Sequence, residues 1–247
     1  MTKISIIIPV LNEEKDIGKL LVHLNEHSSK SNISDIILVD GGSQDNTIQI
    51  INKVTSSAVE RSRKRGFDCA QPDITLLHSE KGRAKQMNLG AKKATGNILY
   101  FLHADSYPPK HFDDLIISEV NKGHLAGCFR MQFDSQHWWL RLASWLTQFS
   151  WRACRGGDQS QFITRELFNE IGGYDESFII YEDNILINEL YERKQFIVIN
   201  KKIRTSARLY KKHGIWTLQY HFWAIYVKKW FGASADDLFA YYKTHIK

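Results

Sequence analysis

The stretch ILYFLHADSYPP, Ile98 to Pro109, runs through an unbroken apolar segment and then stops on His103, Ala104 and Asp105. A short run of this kind has the pattern of a strand covered on both faces, as in a parallel sheet with helices on either side. Ligands of such sheets sit beyond the carboxyl ends of the strands, so polar residues delivered there are candidates for a site. Alternation along an extended chain puts residues i and i+2 on one side, which predicts that His103 and Asp105 face a ligand together. Taken alone, the pair reads more simply as a hydrogen-bonded strand-end histidine and an aspartate capping the turn before Pro108.

The same rhythm extends in both directions. ISIIIPV is followed by EEKDIGKLLVHLNEH, DIILVD by DNTIQIINKV, ITLLHS by GRAKQMNLGAKKA, and ILYFLHA by HFDDLIISEV. Strand-like runs alternating with helical ones predict a three-layer α/β domain with a mostly parallel central sheet. The polar, basic piece from Thr55 to Asp73 reads as an exposed loop or helix extension. After GCFRMQF, a further strand, the chain turns aromatic. In HWWLRLASWLTQFSW, Trp138, Leu142, Trp145, Leu146 and Phe149 fall at helical spacing, the pattern of a core-facing stripe. Residues 1–214 are expected to form the main domain, with 215–247 an aromatic and basic helical tail packed on it, on a membrane or on a dimer partner.

Composition narrows the classes. The 247 residues are 43% hydrophobic and 24% charged, enough for one substantial core, and 33 basic against 27 acidic residues give a net charge of +6. That mild excess suits a phosphate-bearing ligand or an anionic membrane surface, and does not argue for nucleic acid. Cys69, Cys128 and Cys154 form no CxxC pair, which fits a reducing cytosol. No secretory layout is visible at the start, and no stretch approaches the roughly 18–20 apolar residues of a membrane span. Membrane contact is therefore expected to be peripheral, on the inner face.

Three of the strands end in polar groups: Pro9 to Glu13 after the first, Asp40 to Ser43 after the second, and His103 to Asp105 after the fourth. Asp40 alone suits turn formation as well as ligand binding. Gly82 and Arg83 stand before a helix start, a combination suited to phosphate oxygens, with Gln86 and Asn88 as further hydrogen-bonding groups. Four segments, SIIIPVLNEE, ILVDGGSQDNT, GRAKQMNLGAKKATGNILYFLHADS and GGYDESFIIYEDNIL, resemble in order and spacing the family 2 glycosyltransferases of GT-A fold. The closest look-alike is the small branch with GRAxQMNxGA and LHAD segments, and the likeness covers most of residues 4–208.

The resemblance implies a nucleotide-sugar donor, a UDP-sugar foremost, and an inverting, metal-dependent transfer to an acceptor hydroxyl. It places Pro9, Leu11 and Glu13 around the nucleoside, Asp40 on the base, and Arg83 and His103 on the donor. Asp105 matches the metal-binding second aspartate of an Asp-x-Asp signature, for Mn2+ or Mg2+, whereas His103 replaces the usual first aspartate. Asp183 matches the general base, with Glu182, Asp158 and Gln159 bordering sugar and acceptor. In KKIRTSARLYKK, most cations read as solvated, with Arg204 or Arg208 able to reach the diphosphate and His213 or His221 available to a metal. IWTLQYHFWAIYVKKWFG suits an interfacial helix meeting a lipid-linked acceptor, and equally a packing helix or a homodimer contact. A pyrophosphorylase would need a glycine-rich basic loop after the first strand, and a dinucleotide-binding module would need GxGxxG; both are absent. A non-catalytic nucleotide-sugar-binding protein is the alternative, because of His103.

Overall fold

The computed structural model describes residues 2–64, 72–156 and 159–246, the side chains of 57–64 excepted. The chain runs β1 (Ile4–Val10), α1 (Ile17–His27), β2 (Ile33–Asp40), α2 (Thr47–Lys64), β3 (Asp73–His78), α3 (Arg83–Lys93), β4 (Ile98–Phe101), β5 (Ser106–Tyr107) and α4 (Phe112–Asn121). It continues with β6 (Ala126–Phe133), α5 (Trp138–Leu146), β7 (Gln161–Thr164), α6 (Arg165–Ile171), α7 (Glu182–Glu192), β8 (Phe196–Thr205), α8 (Arg208–His213), α9 (Ile215–Trp230) and α10 (Ala235–His245). Thr55 to Lys64 thus extends α2, while Cys69 lies outside the described residues.

The eight strands among the described residues form one sheet in the order β3-β2-β1-β4-β7-β6-β8-β5. The first four are mutually parallel, as their unbroken apolar runs predict. Beyond β4 the sheet becomes mixed: β7 is antiparallel to β4 and β6, β8 parallel to β6, and β5 antiparallel to β8. Alternation on β1 sends Ile6 and Ile8 into one apolar layer with Leu20 and Phe112, and Ile7 into the other with Met87, Phe168 and Leu186. Gly90 lets α3 settle on β1, since a Cβ there would lie 2.4 Å from Ile7 Cγ2. Pro9 fits this central strand because β4 pairs only as far as Ile7, so the missing N–H removes no ladder bond on that side.

Two expectations need correction. Strand β4 ends at Phe101, and Ser106 N donates to His103 O at 3.1 Å, so His103 and Asp105 share a turn rather than one side of a strand. The stripe of Trp138, Leu142 and Trp145 on α5 is not core: these side chains are 60%, 38% and 51% exposed. The inner stripe is instead Leu140, Ser144 and Thr147. The hydroxyls of Ser144 and Thr147 accept from Phe133 N and Met131 N, groups of β6 that neither neighbouring strand reaches. Satisfying buried N–H groups decides which stripe faces inward. The tail packs through a separate cluster in which Leu218, Ile225, Leu238 and Ile246 meet Phe178.

Candidate active site

The loops after β1 and β2 are bonded into one wall. Asn12 N donates to Ser43 Oγ at 2.9 Å, Gln44 N to Asn12 Oδ1 at 2.8 Å, and Glu13 N to Thr47 Oγ1 at 2.8 Å. Asp40, almost fully buried, accepts from Gly42 N at 3.0 Å and Ser43 N at 3.1 Å, so its carboxylate shapes the turn. Gln86 reaches from α3 to the ends of β1 and β2, its Nε2 donating to Val10 O at 3.0 Å and Val39 O at 2.7 Å. That amide ties the wall together from beneath. Pro9 and Leu11, half-buried, lie along it.

Two charged groupings flank the His103–Ser106 turn. In the first, Arg208 at the start of α8 grips Glu13 with both terminal nitrogens, at 2.8 and 2.5 Å, and lies 3.5 Å from Asp16 and 3.6 Å from Asp105. In the second, Arg83 at the start of α3 lies 3.3 Å from Glu182 Oε1 and 3.4 Å from Asp183 Oδ2. His103 joins them. Burial, and then the charges of both Arg83 and Arg208, hold its imidazole well below the ordinary histidine range, so it is neutral at physiological pH.

The acid pair sits where the backbone makes it. Tyr181, just before α7, adopts φ 73°, a left-handed conformation uncommon for a side chain of that size. Asn88 braces the preceding loop by donating to Tyr174 O and accepting from Tyr174 N, each at 2.9 Å. Burial pushes the Glu182 carboxyl up to about 7 against the opposing pull of Arg83, with the neighbouring Asp183 charge adding to the rise. Burial also raises Asp183, again opposed by Arg83. Carboxylates with raised pKa in a cleft are what proton abstraction near neutral pH needs.

Among the sequence-predicted residues, Glu13, Arg83, His103, Asp105, Glu182 and Asp183 thus share one electrostatic neighbourhood. Arg208, one of two candidates in its run, belongs there; Arg204 instead stacks over Tyr107, 5.3 Å from the ring centroid. Asp158 lies outside the described residues. Gln159 is buried, its Nε2 donating to Cys154 O at 2.6 Å and its Oε1 accepting from Arg155 at 2.6 Å. Lys85 pairs with Glu80, and His221 bonds Tyr241 on the C-terminal helices. Sequence reasoning missed Asp16 and Thr47, which only their place after β1 and β2 signalled, and named Asn12 only as part of the polar end from Pro9 to Glu13. No cluster of three or more metal-ligating side chains occurs among the described residues. Asp105, with neutral His103 beside it, still fits a hard divalent ion that completes its shell on phosphates and water.

A family model described as glycosyl transferase family 2 matches residues 5–225. A dolichyl N-acetyl-α-D-glucosaminyl phosphate 3-β-D-2,3-diacetamido-2,3-dideoxy-β-D-glucuronosyltransferase from Methanococcus voltae is 34% identical over 114 residues, 45% of this chain and 32% of its own length. The undecaprenyl-phosphate 4-deoxy-4-formamido-L-arabinose transferase of Aeromonas hydrophila is 27% identical over 161 residues, 64% of this chain and 46% of its own. The matches thus span less than half of each relative. Among solved structures, the mannosyltransferase PcManGT of Pyrobaculum calidifontis, in complex with GDP-Man and Mn2+, superposes with a TM-score of 0.66 at 16% identity, covering 91% of this chain and 60% of the other. Staphylococcus aureus TarS in complex with UDP-GlcNAc gives 0.62 at 19% identity, covering 83% and 58%. These likenesses show the GT-A fold.

Proposed function

The chain belongs to glycosyl transferase family 2, and from that premise we propose that it transfers a sugar, with inversion, from a nucleoside-diphosphate sugar to an acceptor hydroxyl. The observation that carries the reading is the buried Glu182–Asp183 pair at the head of α7, held by Arg83, with His103 placed where the charges of both Arg83 and Arg208 of the Arg208–Glu13–Asp105 grouping reach it.

Each group then has a task. Pro9, Leu11, Glu13 and the Asp40 turn receive the nucleoside, and Arg83 and Arg208 turn from their carboxylates toward the diphosphate oxygens. Both guanidiniums are about half exposed, so that turn is open to them. Asp183 takes the proton as the acceptor oxygen forms its bond to the anomeric carbon; the bond to the phosphate oxygen breaks, and the nucleoside diphosphate leaves with the electron pair. A single displacement inverts the anomeric centre. Glu182, ionised above about pH 7, orients the acceptor or Asp183. Asp105 and His103 would hold a divalent ion, Mn2+ or Mg2+, whose chemistry is to neutralise charge on the leaving diphosphate. Relatives with dolichyl and undecaprenyl-phosphate in their names support a lipid-linked acceptor, and the UDP-GlcNAc complex supports a UDP-sugar donor. Family membership and the buried base weigh against a module that only binds the donor.

Calorimetry over a panel of UDP, GDP and dTDP sugars, with mass detection of product, tests the reading. The Asp183→Asn variant is expected to keep donor affinity and to lose transfer by ~10²–10⁴-fold. Transfer at the normal rate in that variant would remove the base assignment.

A further inference from the structure

The transfer chemistry leaves one surface unused. On α9, Trp216, Tyr220, Trp223, Val227 and Trp230 recur at steps of four, three, four and three residues, which is one stripe of a helix, and they are 49–84% exposed. The opposite stripe, Leu218 and Ile225, is buried. A helix apolar on both sides is ordinarily enclosed; among the described residues nothing encloses the outer stripe. The outward stripe of α5 abuts it through Trp138, which meets Trp216, while half-buried Trp139 meets Trp223, each at 5.8 Å between ring centroids. Trp145, Phe149 and Trp151 continue the plate through contacts of 5.2 and 4.8 Å, and Phe231 at its far end is 83% exposed.

Charge identifies what fits this plate. Residues 135–155 and 206–235 contain no aspartate or glutamate, while Arg141, Arg152, Lys211 and Lys212 lie within them; Lys228 and Lys229 also do, over the rings of Tyr241 and Phe178. We propose that the plate formed by α5 and α9 docks on a membrane surface of anionic lipid. Indole and phenol rings sit at the level of the headgroups with their polar edges in water, and flanking lysines reach lipid phosphates. No helix among the described residues is long and apolar enough to cross a membrane, so the plate lies on the bilayer rather than through it. A second copy of the chain fits less well, since a symmetric contact would set this basic surface against itself.

The plate is mechanically close to the site. Tyr226 OH donates to Asn184 Oδ1, next to Asp183, at 3.4 Å, and its ring meets Tyr181 at 5.3 Å. Helix α8, which begins with Arg208, runs into α9 through Gly214. Docking therefore brings both flanks of the site to the lipid, where an acceptor embedded in it is presented; that consequence rests on the proposed function, whereas the docking does not.

Co-sedimentation tests the proposal with two vesicle types, phosphatidylcholine mixed with phosphatidylglycerol and phosphatidylcholine alone. The wild-type chain is expected to pellet with the first, less so at high salt, and weakly with the second. A variant carrying Trp145→Ser, Trp230→Ser and Phe231→Ser changes only exposed positions, and its circular dichroism should match the wild type. Its partition onto mixed vesicles should fall roughly tenfold for each aromatic that inserts. A wild-type chain that stays in the supernatant, or a triple variant that pellets as before, overturns the proposal. So does light scattering that finds a wild-type dimer converted to a monomer in the variant without vesicle binding, which would assign the plate to a second copy. Donor binding by calorimetry in vesicle-free buffer is read separately, and its failure would count against the proposed function while leaving the vesicle result standing.

Discussion

Replacing Arg83 by glutamine tests what the guanidinium does for the acid pair before donor binds. At 3.4 Å, an effective dielectric of about 20 gives about 5 kcal/mol for one charge pair. Arg83 is 46% exposed, however, so water and salt reduce the felt interaction to roughly 1–2 kcal/mol, or about one pKa unit. Removing it leaves burial unopposed, and the Glu182 and Asp183 carboxyls should both rise further. In the pH profile of kcat/KM for nucleoside-diphosphate release, which reports the free enzyme in which Arg83 still faces the acids, the acidic limb should therefore move up by about one unit. Stability gives a second readout. Glu182 binds its proton more tightly folded, near 7, than unfolded, near 4.5, so its contribution is fully present below about 4.5 and is lost as pH rises through about 7. In the variant that loss deepens, and the drop in Tm relative to wild type should be larger at pH 8.5 than at pH 5.5. An unmoved limb together with equal Tm losses at both pH values would refute the coupling.

Asp105→Asn should weaken donor binding when divalent ion is present and leave the residual binding in chelator unchanged, as read by calorimetry; equal loss in both conditions would detach Asp105 from a metal. Gln86→Leu removes two buried hydrogen bonds, to the Val10 and Val39 carbonyls, the first of which still accepts from Gly41 N at 3.0 Å, at a cost of about 0.5–1.5 kcal/mol for each bond lost. Thermal unfolding should show that loss, and a Tm within a degree of wild type would mean that the bonds from Asn12 and Glu13 to Ser43, Gln44 and Thr47 hold the two loops without Gln86.

The parallel half of the sheet was legible because strands covered on both faces must be apolar throughout, as in β1, β2 and β4. The mixed half was less so: β5 is two residues long, and β8 carries exposed Lys201 and Lys202 beside buried Ile203. Periodicity on α5 named the wrong stripe as inner, since the bonds that Ser144 and Thr147 hydroxyls accept from β6 are long-range facts with no local signal. Arg208 and Glu13 are 195 residues apart, and nothing in either segment announces that they meet. Glu182, Asp183 and Arg83 were legible only as members of a motif set, because each has an ordinary local use as helix-start acid or solvated cation.

Charge explains why a donor would arrive here together with a cation. The groupings set five carboxylates, Glu13, Asp16, Asp105, Glu182 and Asp183, against two guanidiniums, with His103 neutral between them. When both guanidiniums turn to a diphosphate, every one of those carboxylates loses a partner while more negative charge enters. Protonation can relieve Glu182 near neutrality, but the same proton on Asp183 would disable the proposed base. A divalent ion held by Asp105 would offset that charge without touching the acid pair. His103, standing where the family resemblance expects a first aspartate, would lower the negative charge that an incoming diphosphate must face, and its neutral imidazole suits a site already rich in carboxylates.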